Sequence, residues 1–149
     1  MEQIFDVERG EVLEEVGRTT AYVGSRMTGT ADDAYGRIAT TETNEDLLVR
    51  FWAEAKSGLL ESIRYCLTAE EETDGHFHLV LDLPPTWDEA IGRSMAETLR
   101  SYFVNHILAS WFMIVNKEES QAYATLSEGY LKDFRQGTLH RKRPERPTP

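Results

Sequence analysis

The sequence predicts a mainly α-helical protein, a pack of four helices with one β-hairpin inserted between the second and third. Two observations carry that expectation. Apolar residues recur at helical spacing through much of the chain, most regularly in Leu48, Phe51, Trp52, Ala55, Leu59, Ile63 and Cys66. From His76 to Leu83 the period drops to two, directly after Thr73-Asp74-Gly75, which has the chemistry of a tight hairpin turn. With 149 residues, 40% of them hydrophobic, the chain has enough material for one core and too little for two.

The first helix is expected over about 6–27. Val12, Leu13, Val16 and Val23 lie along one side, and Glu2, Asp6, Glu8, Glu11, Glu14 and Glu15 suit the positive end of a helix dipole. Gly10, Gly17 and Gly24 recur every seven residues, by chance or as a small-residue stripe for close helix contact. Residues 28–43 read as a long irregular connection, a length often reserved for function or for ordering by a partner. The second helix, about 44–67, opens with Thr43 or Asn44 as N-cap and Glu45 and Asp46 in the first turn. The hairpin follows over about 68–83. Two strands alone are only marginally stable, so it must pack on the helices or join another subunit.

Pro84-Pro85 ends the second strand, and Thr86-Trp87-Asp88-Glu89 has the form of a capping box opening a third helix over about 87–115. The second half of that helix is apolar nearly all round, as befits a central core helix or part of an oligomer interface. A last helix, about 118–136, carries Ala122, Tyr123, Leu126, Tyr130, Leu131 and Phe134 on one side, with Gly137 suited to its end. Residues 1–137 thus read as a single helical domain, and 138–149 as a basic, proline-rich flexible tail.

Charge divides the chain at the same place. Arg141, Lys142, Arg143 and Arg146 against Glu145 give the tail +3, which leaves −13 of the formal −10 for residues 1–137. Such a body repels phosphate backbones, so nucleic acid is disfavoured except at the tail. The one cysteine, Cys66, allows no intramolecular disulfide and points to a reducing compartment. The N-terminus has neither the basic nor the apolar region of a signal peptide. The most apolar run, Tyr102–Val115, is too short and too polar to span a bilayer. The expected location is the cytoplasm or an assembled virion, with no membrane partner.

No catalytic signature competes with a binding role. His76 and His78 share one strand face, but a metal site needs a third ligand, and no H-x-x-x-H, E-x-x-H or C-x-x-C spacing supplies it. His106 lies inside the apolar helix, where a hydrogen-bonded core or interface histidine is the expectation. Phosphate-cradling, dinucleotide and nucleophile-elbow glycine motifs are absent. The expectation is therefore a non-enzyme with no catalytic, cofactor-binding or metal-binding residues and no small-molecule substrate. Partner contact falls to Arg141, Lys142, Arg143 and Arg146 of the tail and to Trp87, whose residue type favours interface anchors. Pro144, Pro147 and Pro149 favour an extended chain there, either a solubilising end or a docking arm ordered on binding.

The order of parts resembles the small helical head–tail connector (adaptor) proteins of tailed phages and prophages. The likeness covers most of residues 43–149. Asn44-Glu45-Asp46-Leu47-Leu48 opens an amphipathic run into Phe51-Trp52-Ala53-Glu54-Ala55, a hairpin ends in Leu83-Pro84-Pro85, a long helix has Tyr102 in its middle, and the C-terminus is extended and basic. The resemblance implies a structural subunit that self-associates into a ring in a virion neck, its tail reaching a neighbour or the portal. The long connection 28–43 and the aromatic helix 102–115 depart from that pattern. The alternative is an acidic inhibitor or immunity-type protein that uses complementary charge to bind a basic partner such as a nuclease.

Overall fold

The computed structural model describes residues 1–26 and 44–144. Strand β1 (Glu2–Glu8) runs directly into helix α1 (Arg9–Arg26). Helix α2 (Glu45–Ser62) leads through a short 3-10 turn, Arg64–Cys66, into the hairpin of β2 (Leu67–Thr73) and β3 (His76–Asp82). A 3-10 turn at Glu89–Ile91 precedes α3 (Gly92–Val115), and α4 (Lys117–Thr138) follows after one residue. The mainly α architecture with an inserted hairpin is as the sequence predicts. The expected connection 28–43 lies outside the described residues.

The hairpin forms on the predicted turn. Asp74 and Gly75 have φ of 52° and 82°, both in the left-handed region that a two-residue hairpin turn demands. Its partner comes from an unexpected place. The N-terminal residues, expected to begin a helix at Asp6, instead form β1, antiparallel to β3 in a sheet of order β1-β3-β2. Phe5 and Val7 face the core while Glu2, Ile4, Asp6 and Glu8 face outward, an alternation of period two that burial on one face rewards. Glu2, Asp6 and Glu8, expected to suit a helix dipole, are here the outer row of a strand, while Glu11 keeps that place in the first turn of α1. The hairpin thereby completes its sheet within its own chain.

Helix α3 is the axis of the molecule. Met95, Leu99, Tyr102, Phe103, Val104, Ile107, Leu108, Trp111 and Phe112 are all buried along it. Phe103 stacks on Trp52 of α2 at 4.3 Å between ring centroids, and Phe77 of β3 meets both rings edge-on, at 6.3 Å and 6.0 Å. Phe5 of β1 packs edge-on against Phe134 of α4 at 5.3 Å. The inner sheet face is thus sealed by aromatic pairs from three helices.

Several boundaries move. Helix α2 stops at Ser62, since Ile63 and Cys66 are buried in the turn that aims β2. The capping box does not form: Asp88 caps instead, accepting from the Ala90 amide at 3.0 Å, and α3 starts five residues later than expected. On α4 the inward groups are Ser120, Ser127, Phe134 and Thr138, while Ala122 and Leu126 are exposed. Gly137 does not end this helix. It lies within the last turn, where a Cβ would come within 2.8 Å of Met95 Sδ, so its role is close helix contact. Gly10 meets nothing within 4 Å of where a Cβ would stand, and so makes no close contact. Among the described residues no helix is long and apolar enough to cross a membrane.

Candidate functional site

Three places on the molecule gather groups that can act on something else. The first is the root of the basic tail. Pro84-Pro85 turn the chain after β3, with the Trp87 amide donating to Pro84 O at 2.9 Å. This drops the Trp87 indole into the interior, 1% exposed, where its Nε1–H donates to Gly137 O at 2.9 Å. That carbonyl lies in the last turn of α4 and also accepts from the His140 amide at 3.2 Å, so the indole shares it with the backbone that closes the helix. Beyond Thr138 the chain doubles back antiparallel to 86–88. Trp87 and Arg141 form a β-bridge, the Lys142 amide donates to Thr86 O at 2.8 Å, and the Asp88 amide donates to His140 O at 3.3 Å. His140 Nε2 lies 3.4 Å from Asp88 Oδ2.

Of the expected partner-binding residues, Arg141, Lys142 and Arg143 are therefore together, exposed, at the end of a tethered segment. Trp87 is not beside them on the surface; it is the buried post to which that segment is tied. Arg146 lies outside the described residues. The flexible tail expected from 138 is backbone-paired as far as Lys142.

The second place is a groove of about 610 Å³ between α2, α3 and α4, lined by Phe51, Tyr102, His106, Ala124 and Leu131 among others. Its hydroxyls are already committed: Tyr102 donates to Ala55 O at 2.7 Å, Ser110 to His106 O at 3.0 Å, and Ser120 to Ala109 O at 2.9 Å. Burial pushes the Tyr102 phenol up to about 12. Burial likewise lowers the His106 pKa, with Glu54 pulling weakly the other way. A neutral imidazole and tied hydroxyls make this an apolar surface rather than a reactive one. Met113 and Ile114, 58% and 62% exposed, extend it outward. Cys66 is buried, and burial pushes its thiol up, away from the reactive thiolate.

The third place is the outer sheet face. The pairing sets Asp6, His78 and Glu71 in one row and Glu8, His76 and Thr73 in the next, with Glu2 opposite Asp82 at the far end. His78 Nδ1 lies 2.5 Å from Asp6 Oδ1, and His76 Nε2 lies 3.3 Å from the same oxygen. His76 Nδ1 is hydrogen-bonded to the Glu8 carboxylate, and that bond is the main reason its pKa is raised. The third group that spacing along the sequence lacks thus arrives from β1. A helix beginning at Asp6 hides it; only the outward alternation of Glu2, Ile4, Asp6 and Glu8 carries a trace of it.

Compared with family models, curated proteins and solved structures, the chain matches none.

Proposed function

We propose that the protein is a non-enzymatic assembly subunit that docks onto protein partners through its basic arm, in the manner of the phage head–tail connectors its sequence resembles. The observation that carries this reading is the pairing of His140–Lys142 with Thr86–Asp88. A merely solubilising end has no need of a fixed origin. An arm whose first cations are held in place loses less conformational freedom when it meets a complementary surface. The apolar groove, continued outward by Met113 and Ile114, supports the same reading as a second contact on the central helix.

The test is affinity capture from prophage-induced cells with the full chain beside an Arg141→Glu, Lys142→Glu, Arg143→Glu triple variant. Charge reversal is preferred to truncation after Gly137, which also removes the buried Thr138 and the strand over Trp87. Portal, neck or tail proteins held by the wild type and lost by the variant support the connector reading. Acids lie on every element, but the outer sheet face collects Glu2, Asp6, Glu8, Glu71 and Asp82, and this favours the inhibitor reading as second. Recovery of one basic enzyme, equally by both proteins, replaces the first reading with that one.

A further inference from the structure

The outer sheet face holds a constellation independent of the docking reading. We propose that Asp6, His76 and His78 form a binding site for a divalent first-row transition-metal cation, with Glu8 as a positioning residue for the His76 ring. The three donors come from two hydrogen-bonded strands, and one atom from each lies within 4.8 Å of the others. In a tetrahedral site with metal–ligand bonds of roughly 2.0–2.1 Å, ligand atoms stand about 3.3 Å apart. The Asp6 Oδ1 to His76 Nε2 distance is 3.3 Å. The His78 Nδ1 contact to the same oxygen, 2.5 Å, is a hydrogen bond that a cation would replace. It opens by side-chain rotation, since both groups are half-exposed on the surface of the sheet.

Glu8 supplies an independent indication. It stands directly opposite His76 in the strand register and holds Nδ1, so Nε2 is turned toward Asp6. A histidine gripped at one nitrogen by a carboxylate, with the other presented to a shared donor, is the usual arrangement around a metal-bound imidazole. β3 is the central strand of the sheet, paired on both sides, which gives the two histidines a rigid base. Two imidazoles and one carboxylate select Zn²⁺, Co²⁺, Ni²⁺ or Cu²⁺ over Mg²⁺ and Ca²⁺, which prefer oxygen throughout.

The experiment uses the full chain, stripped with a chelator and titrated with Zn²⁺ by calorimetry while the imidazole resonances of its four histidines are followed by NMR. One equivalent should bind, shifting His76 and His78 and leaving His106 and His140 in place, with millimolar Mg²⁺ unable to compete. His78→Gln or Asp6→Asn should weaken binding at least about 10-fold, and Glu8→Gln by about 10-fold, the low end of what losing such a supporting carboxylate costs. His140→Gln, at the other histidine–acid contact, should change nothing. The proposal is overturned if no saturable binding occurs, if His76 and His78 do not shift, or if Mg²⁺ displaces the ion. Because the resonances are read on the wild-type chain, the outcome does not depend on how any variant folds.

Discussion

Glu72 joins three elements through one carboxylate. Its Oε1 accepts from Trp52 Nε1 at 2.6 Å and lies 3.5 Å from Lys56 Nζ, while Oε2 lies 3.5 Å from Arg9. The Trp52 indole is 1% exposed, so its N–H has little water to fall back on. Glu72→Ala should therefore cost about 1–3 kcal/mol, the penalty of a buried donor left without an acceptor. Glu72→Gln should recover part of it, because an amide oxygen still accepts; urea unfolding of the three proteins decides. Nothing in the run Glu70-Glu71-Glu72 distinguishes this acid from its solvated neighbours. Strand alternation separates it from Glu71, and its place opposite Phe77, within reach of Trp52, Lys56 and Arg9, separates it from Glu70.

His106 makes a pH prediction of definite sign. Burial in the groove favours the neutral ring, so the native pKa lies below that of the unfolded chain, about 6.5. The unfolded state then binds the extra proton. Stability from this group is complete above about pH 6.5, falls as the pH drops toward the native pKa, and levels off below it. His106→Gln should flatten that part of the unfolding free energy–pH curve. An unchanged slope between about pH 7 and pH 5 would show that the ring is not desolvated as described.

Among the elements, legibility follows sequence distance. The hairpin and helices α2 and α3 were readable because their signals are local: Asp74-Gly75 for the turn, helical spacing for Leu48–Leu59, and an all-round apolar run for the axis. β1 was not, because only Phe5 and Val7 face inward and their partners lie at Leu79 and Phe77, about 70 residues or more away. The capping box at 86–89 failed for a related reason: the Thr86 carbonyl is committed to Lys142 and the Trp87 ring to Gly137. The strap this creates has a mechanical consequence. Trp87→Ala should cost about 3–5 kcal/mol, as large buried aromatics do. It should also release the arm, so that trypsin cleaves after Arg141 and Lys142 much faster than in the wild type. Equal cleavage rates would mean that Trp87 does not hold it.

For the whole molecule, the proposed function rests on groups that the fold brings together from distant stretches. The tail cations were legible as a cluster, but their anchoring to Trp87 depends on contacts across some fifty residues. The acid beside His76 and His78 depends on contacts across some seventy. Spacing along a chain records neither. The central claim is that the arm has a fixed root, and the most direct measurement of it is hydrogen exchange at the Lys142 amide of the full chain. Bound to Thr86 O, that amide should exchange well below the rate of an unstructured peptide, and Trp87→Ala should restore the free rate. Exchange at the free-chain rate in the wild type would contradict the rooted arm, and with it the ground for reading the tail as a docking device.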